Sequence, residues 1–402
     1  MKKNNSIFVL SIFLILPLFI LACRDNIVRL VERETLFTIE IGPMEDQIAL
    51  FQLEGDRGIR RTGFTMRDGL FYIADGNSGK IVCYNAFGDL LFMIYNEETN
   101  PAPLSLRINI AEDEIATRWA TTYPLNAPSW ITVDSRRHIF AADLLPQQAH
   151  RFDTESGAIL DSVILKFDQE GRFLNFLGRE GLGGSPFPRI VGLSTSIRDE
   201  IAVICRIPAG WNIHWFNSSG MLLFLIKIDA ASVPAHPQLP EAFAMVDTIF
   251  ASPDSRQLFI KIDYSRDTFD PATNIRTGTE PIGSIIWILD IESGTYSHFH
   301  EIPLFELTHN GSERFFVYYS MLGVMRGGRT LLYFPVEEGF SILFADTHSG
   351  EQRRGMINFS HNELVFSDFH LSPEGILSAM LADNFNIKIT WWRTDRFIGG
   401  LQ

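Results

Sequence analysis

The sequence is poor in cysteine, in basic charge, in long apolar runs and in helical periodicity. Its 402 residues contain three cysteines, so a disulfide-rich scaffold is excluded. Asp and Glu outnumber Lys and Arg by 48 to 34, which gives a formal net charge of −14. Nucleic acid is excluded as a partner, because binding it requires a basic surface. After the N-terminal segment, no apolar run reaches the ~20 residues that a membrane-spanning helix needs.

What the sequence does contain is apolar material suited to a β-rich core. Hydrophobic residues make up 46% of the chain and charged residues 20%, which is typical of a globular protein. The 33 phenylalanines are spread along the chain and favour strands over helices. Cys83 and Cys205 lie far apart in strand-like runs. A disulfide between them is an alternative in an exported protein, but two buried free thiols are favoured.

The first residues have the organisation of an export signal. Two lysines precede an apolar stretch that is shorter than a membrane span and ends at Ala22-Cys23. A cysteine directly after the small residue at the cleavage site resembles a bacterial lipobox, in which that cysteine is lipidated and becomes the new N-terminus. We therefore predict a lipoprotein signal peptide over 1–22, a lipid anchor on Cys23 and a tether over 23–34. The alternative is a plain transmembrane anchor with a chance cysteine.

The remaining residues, 35–402, read as short strands separated by tight turns. A four-stranded unit recurs, and the turn before its last strand opens with Asp or Asn and ends with Gly. Copies of that turn lie at 85–88, 168–171, 217–220, 290–294 and 346–350. One such sheet cannot bury both of its faces alone, so the units must stack on one another. Repeated four-stranded units of ~40–50 residues predict an all-β fold, a β-propeller.

Six units can be counted along the chain. They lie at 58–96, 128–178, 187–229, 243–302, 314–358 and 362–400. The strand-like segment 36–41 precedes the first unit and has no unit of its own. We expect it to pair with the last unit as an outer strand and to close the ring; a stray β-arm on the surface is the alternative. The link at 96–127 is predicted as an insertion with a partly helical stretch at 110–119.

A family resemblance supports the same fold. Residues 164–188 resemble the NHL repeat, with an Asp-x-x-Gly turn, Phe-Leu-x-x-Leu-Gly and a Gly-rich loop that runs into a Phe-Pro pair. Together with the signal and its cysteine, the chain looks like a family of uncharacterised spirochaetal lipoproteins with six-bladed, NHL-like propellers. The resemblance implies a fold and hardly any function, because propellers host many unrelated activities.

The lengths of the connections single out one face of the predicted propeller. The turns between first and second strands are short, whereas the long connections at 96–127, 143–157 and 263–283 all fall on the opposite face. Long loops in a compact domain are often functional. The candidate binding residues on this face are Trp119, Trp211, Phe187 and Arg206. An exposed Trp211 would be a plausible anchor, and a Trp lid over the core is the alternative.

Catalytic chemistry is hard to find in the sequence. His298 and His300 are a possible metal pair without a third ligand, so no metal, cofactor or catalytic residue is predicted. We expect a lipid-anchored protein of the bacterial cell envelope, periplasmic or surface-exposed, that binds a protein partner or acts as a scaffold. The alternative is a metal-dependent hydrolase or lyase of the lactonase-like propeller type. That alternative would need carboxylates such as those of Asp75, Asp143, Asp263 and Asp383 to converge.

Overall fold

The computed structural model describes residues 29–51, 60–108, 117–178, 185–309 and 313–399. The predicted signal peptide and Cys23 lie outside these residues, as do residues 109–116 and 179–184. Within the described ranges, no helix is long and apolar enough to cross a bilayer. Apart from a single 3-10 turn at Gln147–Ala149 and helix α1 (Thr394–Gly399), the regular structure there is β-strand. The predicted all-β class is therefore confirmed.

Two N-terminal strands and two sheets come first along the chain. The N-terminal strands are β1 (Arg29–Leu30) and β2 (Arg33–Glu40). Sheet 1 contains β3 (Thr62–Arg67), β4 (Leu70–Asp75), β5 (Lys80–Asn85), β6 (Leu90–Tyr95), β7 (Arg107–Ile108) and β8 (Trp119–Thr122). Sheet 2 contains β9 (Ile131–Val133), β10 (Ile139–Leu144), β13 (Ser162–Phe167) and β14 (Phe173–Phe176), with the small hairpin of β11 (Arg151–Asp153) and β12 (Ala158–Leu160) inserted after β10.

Four further sheets follow the same plan. Sheet 3 contains β15 (Ile190–Thr195), β16 (Ile201–Ile207), β17 (Gly210–Phe216) and β18 (Leu222–Asp229). Sheet 4 contains β19 (Phe243–Ala251), β20 (Gln257–Phe269), β21 (Arg276–Asp290) and β22 (Thr295–Ile302), and the pair β23 (Phe305–His309) and β24 (Glu313–Val317) comes next. Sheet 5 contains β25 (Ser320–Met325), β26 (Arg329–Val336), β27 (Gly339–Asp346) and β28 (Gln352–Asn358). Sheet 6 contains β29 (Phe366–Leu371), β30 (Leu377–Ala382) and β31 (Asn386–Trp392).

The six sheets are arranged in a ring, which is a β-propeller arrangement. The first strand of each sheet contacts the first strands of both neighbours, through β3, β9, β15, β19, β25, β29 and back to β3. Six apolar clusters fill the six boundaries between adjacent sheets. Each sheet is thus covered on both faces, which explains why its central strands are continuously apolar rather than alternating.

The N-terminal strands complete the ring. Five of the sheets take their main strands from one continuous stretch of chain, whereas sheet 6 has the order β2-β31-β30-β29. β2 pairs antiparallel with β31 and places Phe37 and Ile39 in the core. This is the position expected for the segment 36–41. β1 pairs parallel with β28 of sheet 5, so residues 29–34 of the expected tether contribute to two sheets.

One face of the ring carries the turns that follow the first and third strands, and we call it the short-turn face. The opposite face carries the loops between second and third strands and the links between sheets, and we call it the long-loop face. On the short-turn face, hydrogen bonds join neighbouring sheets at successive boundaries. These bonds are Arg67 to Val133, Ser135 to Asp199, Ile197 to Pro253, Gly327 to Asp254 and Arg326 to Pro373.

Candidate functional site

The long-loop face carries structured additions rather than open loops. In the 96–127 insertion, β8 pairs parallel with β6 and extends sheet 1, so the helical stretch expected up to residue 119 is wrong at its described end. The connection 263–283 is also not a loop. There β20 and β21 continue past the sheet and pair out to Phe269 and Arg276, which makes a projecting hairpin.

Exposed apolar side chains concentrate on this face. Among the described residues, those in the short turns or at the strand ends that meet them are Phe87, Leu174, Ile197, Met221 and Leu222. Those in connections of the long-loop face, or at the strand ends that meet it, are Met44, Leu104, Ile108, Phe152, Ile159, Phe243, Met245, Phe269, Ile275, Phe315, Phe316, Val365 and Phe385. Phe269 is 53% exposed and Ile275 is 64% exposed, and both lie at the tip of the hairpin of sheet 4. The two faces therefore differ in exposed apolar surface as well as in loop length.

Trp119, a predicted binding residue, is half-buried at the start of β8. Its ring stacks on Phe92 with centroids 5.4 Å apart, and its indole nitrogen donates to the carbonyl of Glu170 at 2.6 Å. The ring contact lies within sheet 1, where Trp119 pairs with Phe92, and the hydrogen bond ties the edge of sheet 1 to the β13–β14 turn of sheet 2. The structure thus gives Trp119 a packing role.

Trp211 and Arg206 are directly opposite each other on β17 and β16. Trp211 is 8% exposed and belongs to the apolar cluster between sheets 3 and 4. The Arg206 guanidinium carbon lies 3.8 Å from the centre of the Trp211 ring, a cation–π contact. The lid over the core, not the exposed anchor, is the arrangement that the structure adopts.

Phe187 is fully buried between sheets 2 and 3, where its ring meets that of His214 edge to face at 5.1 Å. It is flanked by Pro186 and Pro188, which line a cleft. This cleft, of about 400 Å³, lies between the β11–β12 hairpin and sheet 3 on the long-loop face. Apolar side chains that line it include Leu160, Ile207 and Ile228, and its polar lining residues include Asn212, His214, Asp153, Glu155, Lys227 and Asp229.

Two polar side chains of β17 stand out at this cleft. Within the described part of the chain, Oδ1 of Asn212 and Nδ1 of His214 are buried and have no hydrogen-bond partner. Burial lowers the pKa of His214 to about 4, so the imidazole is neutral at pH 7. Buried polar atoms without partners are rare, and each one calls for an explanation.

The cleft is bridged by an ion pair between Lys227 of β18 and Glu155 of the hairpin turn. Gly210, at the start of β17, lets β17 and β18 approach closely beside it. A Cβ on Gly210 would lie 2.0 Å from the carbonyl oxygen of Ile228, so no other residue fits there without a shift. The close approach of β17 and β18 at Gly210 and the ion pair between Lys227 and Glu155 thus both shape the cleft.

Sequence reasoning did not find Asn212 and His214. The signal was available: the run Trp211-Asn212-Ile213-His214-Trp215 places two polar residues at alternate positions of a strand whose other members are apolar. In a strand covered on both faces, such positions point to one boundary between sheets. Here they share the face toward sheet 2.

The four aspartates expected at the ends of second strands are each bound within their own surroundings. Asp143 accepts backbone N–H groups of Asn126 and Ala127 at 3.0 and 2.7 Å, and Asp75 accepts that of Ala49 at 2.8 Å. Both thereby hold the link that enters their sheet. Burial raises the pKa of Asp143 to about 6, against the effect of these hydrogen bonds.

The other two aspartates differ from this pattern. Asp383 accepts the N–H groups of Phe385 and Asn386 at 2.9 and 2.8 Å, and these bonds lower its pKa. Asp263 forms an ion pair at 2.5 Å with Lys261, whose side chain is fully buried. All four carboxylates brace structure. Among the described residues, no group of three or more His, Cys, Asp or Glu is placed to hold a metal ion.

A second polar cluster lies where first strands begin at the inner edge of the ring. The Arg61 guanidinium carbon lies 3.8 Å from the centre of the Trp130 ring, and Arg61 is 3.6 Å from the carboxylate of Asp368. The Trp130 indole donates to the carbonyl of Ile190 at 3.0 Å. These contacts join sheets 6, 1, 2 and 3. The thiols of Cys83 and Cys205 are free and buried, as predicted.

Comparison with known proteins gives distant similarities only. No family model matches the chain, and no curated protein matches it. A gluconolactonase from Xanthomonas campestris is 10% identical, with 83% of this chain and 84% of that chain covered and a TM-score of 0.39. Hydrazine synthase of Kuenenia stuttgartiensis is 12% identical over 88% and 82% of the two chains, with a TM-score of 0.41. A streptogramin B lyase is 13% identical over 90% and 99%, with a TM-score of 0.35. Similarity this weak carries no information about the site, and the fold is read from the strand pairing.

Proposed function

We propose that this chain is a lipid-anchored, six-bladed, NHL-like β-propeller of the bacterial cell envelope that binds a protein partner through its long-loop face. The blade count is supported by the six sheets in the ring and by the six apolar clusters between them. The anchor is supported by the lipobox-like sequence that ends at Cys23, outside the described residues.

The observation that carries the proposed binding role is the concentration of exposed apolar side chains on one face. Exposed apolar side chains that gather on one side of a domain commonly mark an interaction site. The hairpin of sheet 4 continues its strand pairing past the sheet and carries the exposed Phe269 and Ile275 at its tip, so it is the best single element to test. Because the chain carries a formal charge of −14, a partner with a basic rim around an apolar patch would complement it.

The test compares apolar-to-polar variants of the two faces. The full chain, purified in mild detergent, is crosslinked to envelope extract of the source organism, and the captured proteins are quantified. We expect Phe269→Ser with Ile275→Ser to reduce capture of one defined partner at least tenfold, because interface aromatics often contribute ~2 kcal/mol or more each. Phe87→Ser, at the 87%-exposed Phe87 of the short-turn face, is the matched control and should change little.

Two outcomes would contradict this proposal. One is loss of the partner in the Phe87→Ser control but not in the hairpin variant, which would mean that the other face binds. The other is turnover of lactone or aryl-ester substrates that depends on an added divalent metal ion. That result would favour the metal-dependent hydrolase or lyase class over a binding module.

A further inference from the structure

The cleft between sheets 2 and 3 has unsatisfied hydrogen-bonding capacity, and this feature is independent of the exposed apolar side chains used above. Asn212 is 9% exposed, lines the cleft, and its amide oxygen has no partner among the described residues. A buried acceptor in that state costs free energy that an incoming donor would recover. The neutral ring of His214 beside it has one nitrogen that accepts a hydrogen bond and carries no charge that would repel a cation.

The charged residues of the cleft are mainly acidic. Glu155 and Asp229 are exposed carboxylates, and Asp153, at the end of β11, is a third carboxylate. Lys227 is the basic residue of the lining, and its ammonium is engaged by Glu155. The opening therefore attracts positive charge.

The walls of the cleft are apolar. Leu160, Pro186, Pro188 and Ile228 contribute to them, and the volume of about 400 Å³ falls within the range of roughly 300–1,000 Å³ typical of small-ligand sites. An apolar stem that ends in a hydrogen-bond donor fits such a site, because the stem packs on the walls while the donor reaches the floor.

We infer that this cleft binds an aliphatic chain that ends in an ammonium or guanidinium group. The donors of the cation bond to the amide oxygen of Asn212, the stem lies against the apolar walls, and Asp229 and Glu155 supply the negative potential. The group can be the side chain of an arginine or lysine in a protein, or a free aliphatic amine, and the chemistry is the same.

Three probes separate the effect of the positive charge from that of the shape. They also separate a protein side chain from a free molecule as the source of the cation. Isothermal titration of the full chain in mild detergent uses acetyl-Gly-Arg-Gly-amide, its citrulline analogue and n-butylguanidinium chloride. We expect the arginine peptide to bind at least tenfold more tightly than the citrulline peptide, which has the same shape without the charge. Tighter binding of the peptide than of n-butylguanidinium indicates a protein side chain as the source, and equal binding indicates a free amine; either result supports the site.

Variants locate the binding within the cleft. Asn212→Leu should weaken the arginine peptide about tenfold, and Asp229→Asn should weaken it severalfold. Lys227→Met should strengthen it, because Glu155 loses its competing ammonium. Glu97→Gln removes one exposed carboxylate outside the cleft and should leave the affinity unchanged.

Thermal melts of each variant separate misfolding from loss of the site. If Asn212→Leu fails to fold, Asp229→Asn and Lys227→Met still test whether the cation binds in the cleft, because both change exposed side chains. Equal affinity for the arginine and citrulline peptides, absence of binding, or equal weakening by Glu97→Gln and Asp229→Asn would overturn the inference. None of these results bears on the exposed hairpin of sheet 4, so the proposed partner-binding face stands or falls separately.

Discussion

At the scale of single residues, buried carboxylates tie the links between sheets to the sheets themselves. Asp143 closes the 96–127 insertion by accepting the N–H groups of Asn126 and Ala127. The carboxylate is buried, which disfavours its charged form, and its hydrogen bonds only partly offset that cost. Its position at the end of a strand on the long-loop face resembles a catalytic placement, but its bonds are those of a brace.

The raised pKa of Asp143 predicts a specific pH dependence of stability. Its folded-state pKa is about 6 and its ordinary value is 3.8, so the stabilisation from its protonated form is complete below pH 3.8 and is lost as the pH rises through 6. Asp143→Asn does not titrate. The free energy of unfolding of the variant should therefore gain about 2 kcal/mol relative to the parent between pH 4 and pH 7.5.

Urea denaturation at both pH values measures this difference. The comparison cancels any constant effect of the substitution on the hydrogen bonds. A difference between variant and parent that does not change with pH would contradict the assignment of a buried, pKa-raised carboxyl to Asp143.

Because Trp211 is buried, its substitution should affect the stability of the fold. Trp211→Ala should lower the free energy of unfolding by about 3–5 kcal/mol, because it removes a ring that packs between sheets 3 and 4 under Arg206. Phe152→Ala, at a side chain that is 66% exposed, should change stability by less than ~0.5 kcal/mol. If Trp211→Ala melts like the parent but loses a partner, Trp211 is an exposed anchor after all.

At the scale of elements, the closing strand holds both the N-terminus and the last sheet in place. β2 covers the edge of β31, and its apolar residues enter the cluster shared by sheets 6 and 1. An uncovered edge strand exposes a row of unpaired backbone groups that promotes aggregation.

Deletion of residues 24–42 should therefore lower the melting temperature or remove soluble protein. Phe37→Ser with Ile39→Ser is a milder variant that keeps the strand but weakens its packing, and it should shift the melting temperature in the same direction. Thermal melts with size-exclusion chromatography report both effects. A deletion variant that is as stable and monomeric as the parent would refute a closing role for β2.

The elements also mark the limit of sequence-based prediction. The recurring Asp/Asn-to-Gly turns predicted the third and fourth strands because turn chemistry is local. From the sequence, the connection 263–283 is predicted to be a loop, because most of its residues are polar and lack apolar alternation. The structure instead makes it the projecting hairpin of sheet 4. These residues form strands because their backbones pair with each other, and no local pattern of side chains indicates that pairing.

At the scale of the whole molecule, the two faces of the ring are chemically different. The short-turn face is tied together by hydrogen bonds between neighbouring sheets, and the long-loop face carries the hairpins, the exposed apolar side chains and the cleft.

The proposed anchor makes a prediction for the whole protein. Cys23→Ser should abolish lipid labelling and release the protein from membranes, because the lipid on Cys23 is the proposed attachment. One acyl chain gives only marginal membrane binding, so stable attachment requires two or more chains. Phase partitioning in detergent and metabolic labelling measure both effects. A variant that still partitions into detergent and carries the label would disprove the anchor.

The sequence by itself determined the all-β class and the recurring turns, and it favoured free thiols and a closing strand over their alternatives. These properties follow from local turn chemistry and from apolar runs that must be covered on both faces. Only the tertiary structure decided that Trp211 is buried and that Asn212 and His214 face a cleft. Burial depends on which sheets become neighbours, and that information is spread over residues far apart in the chain.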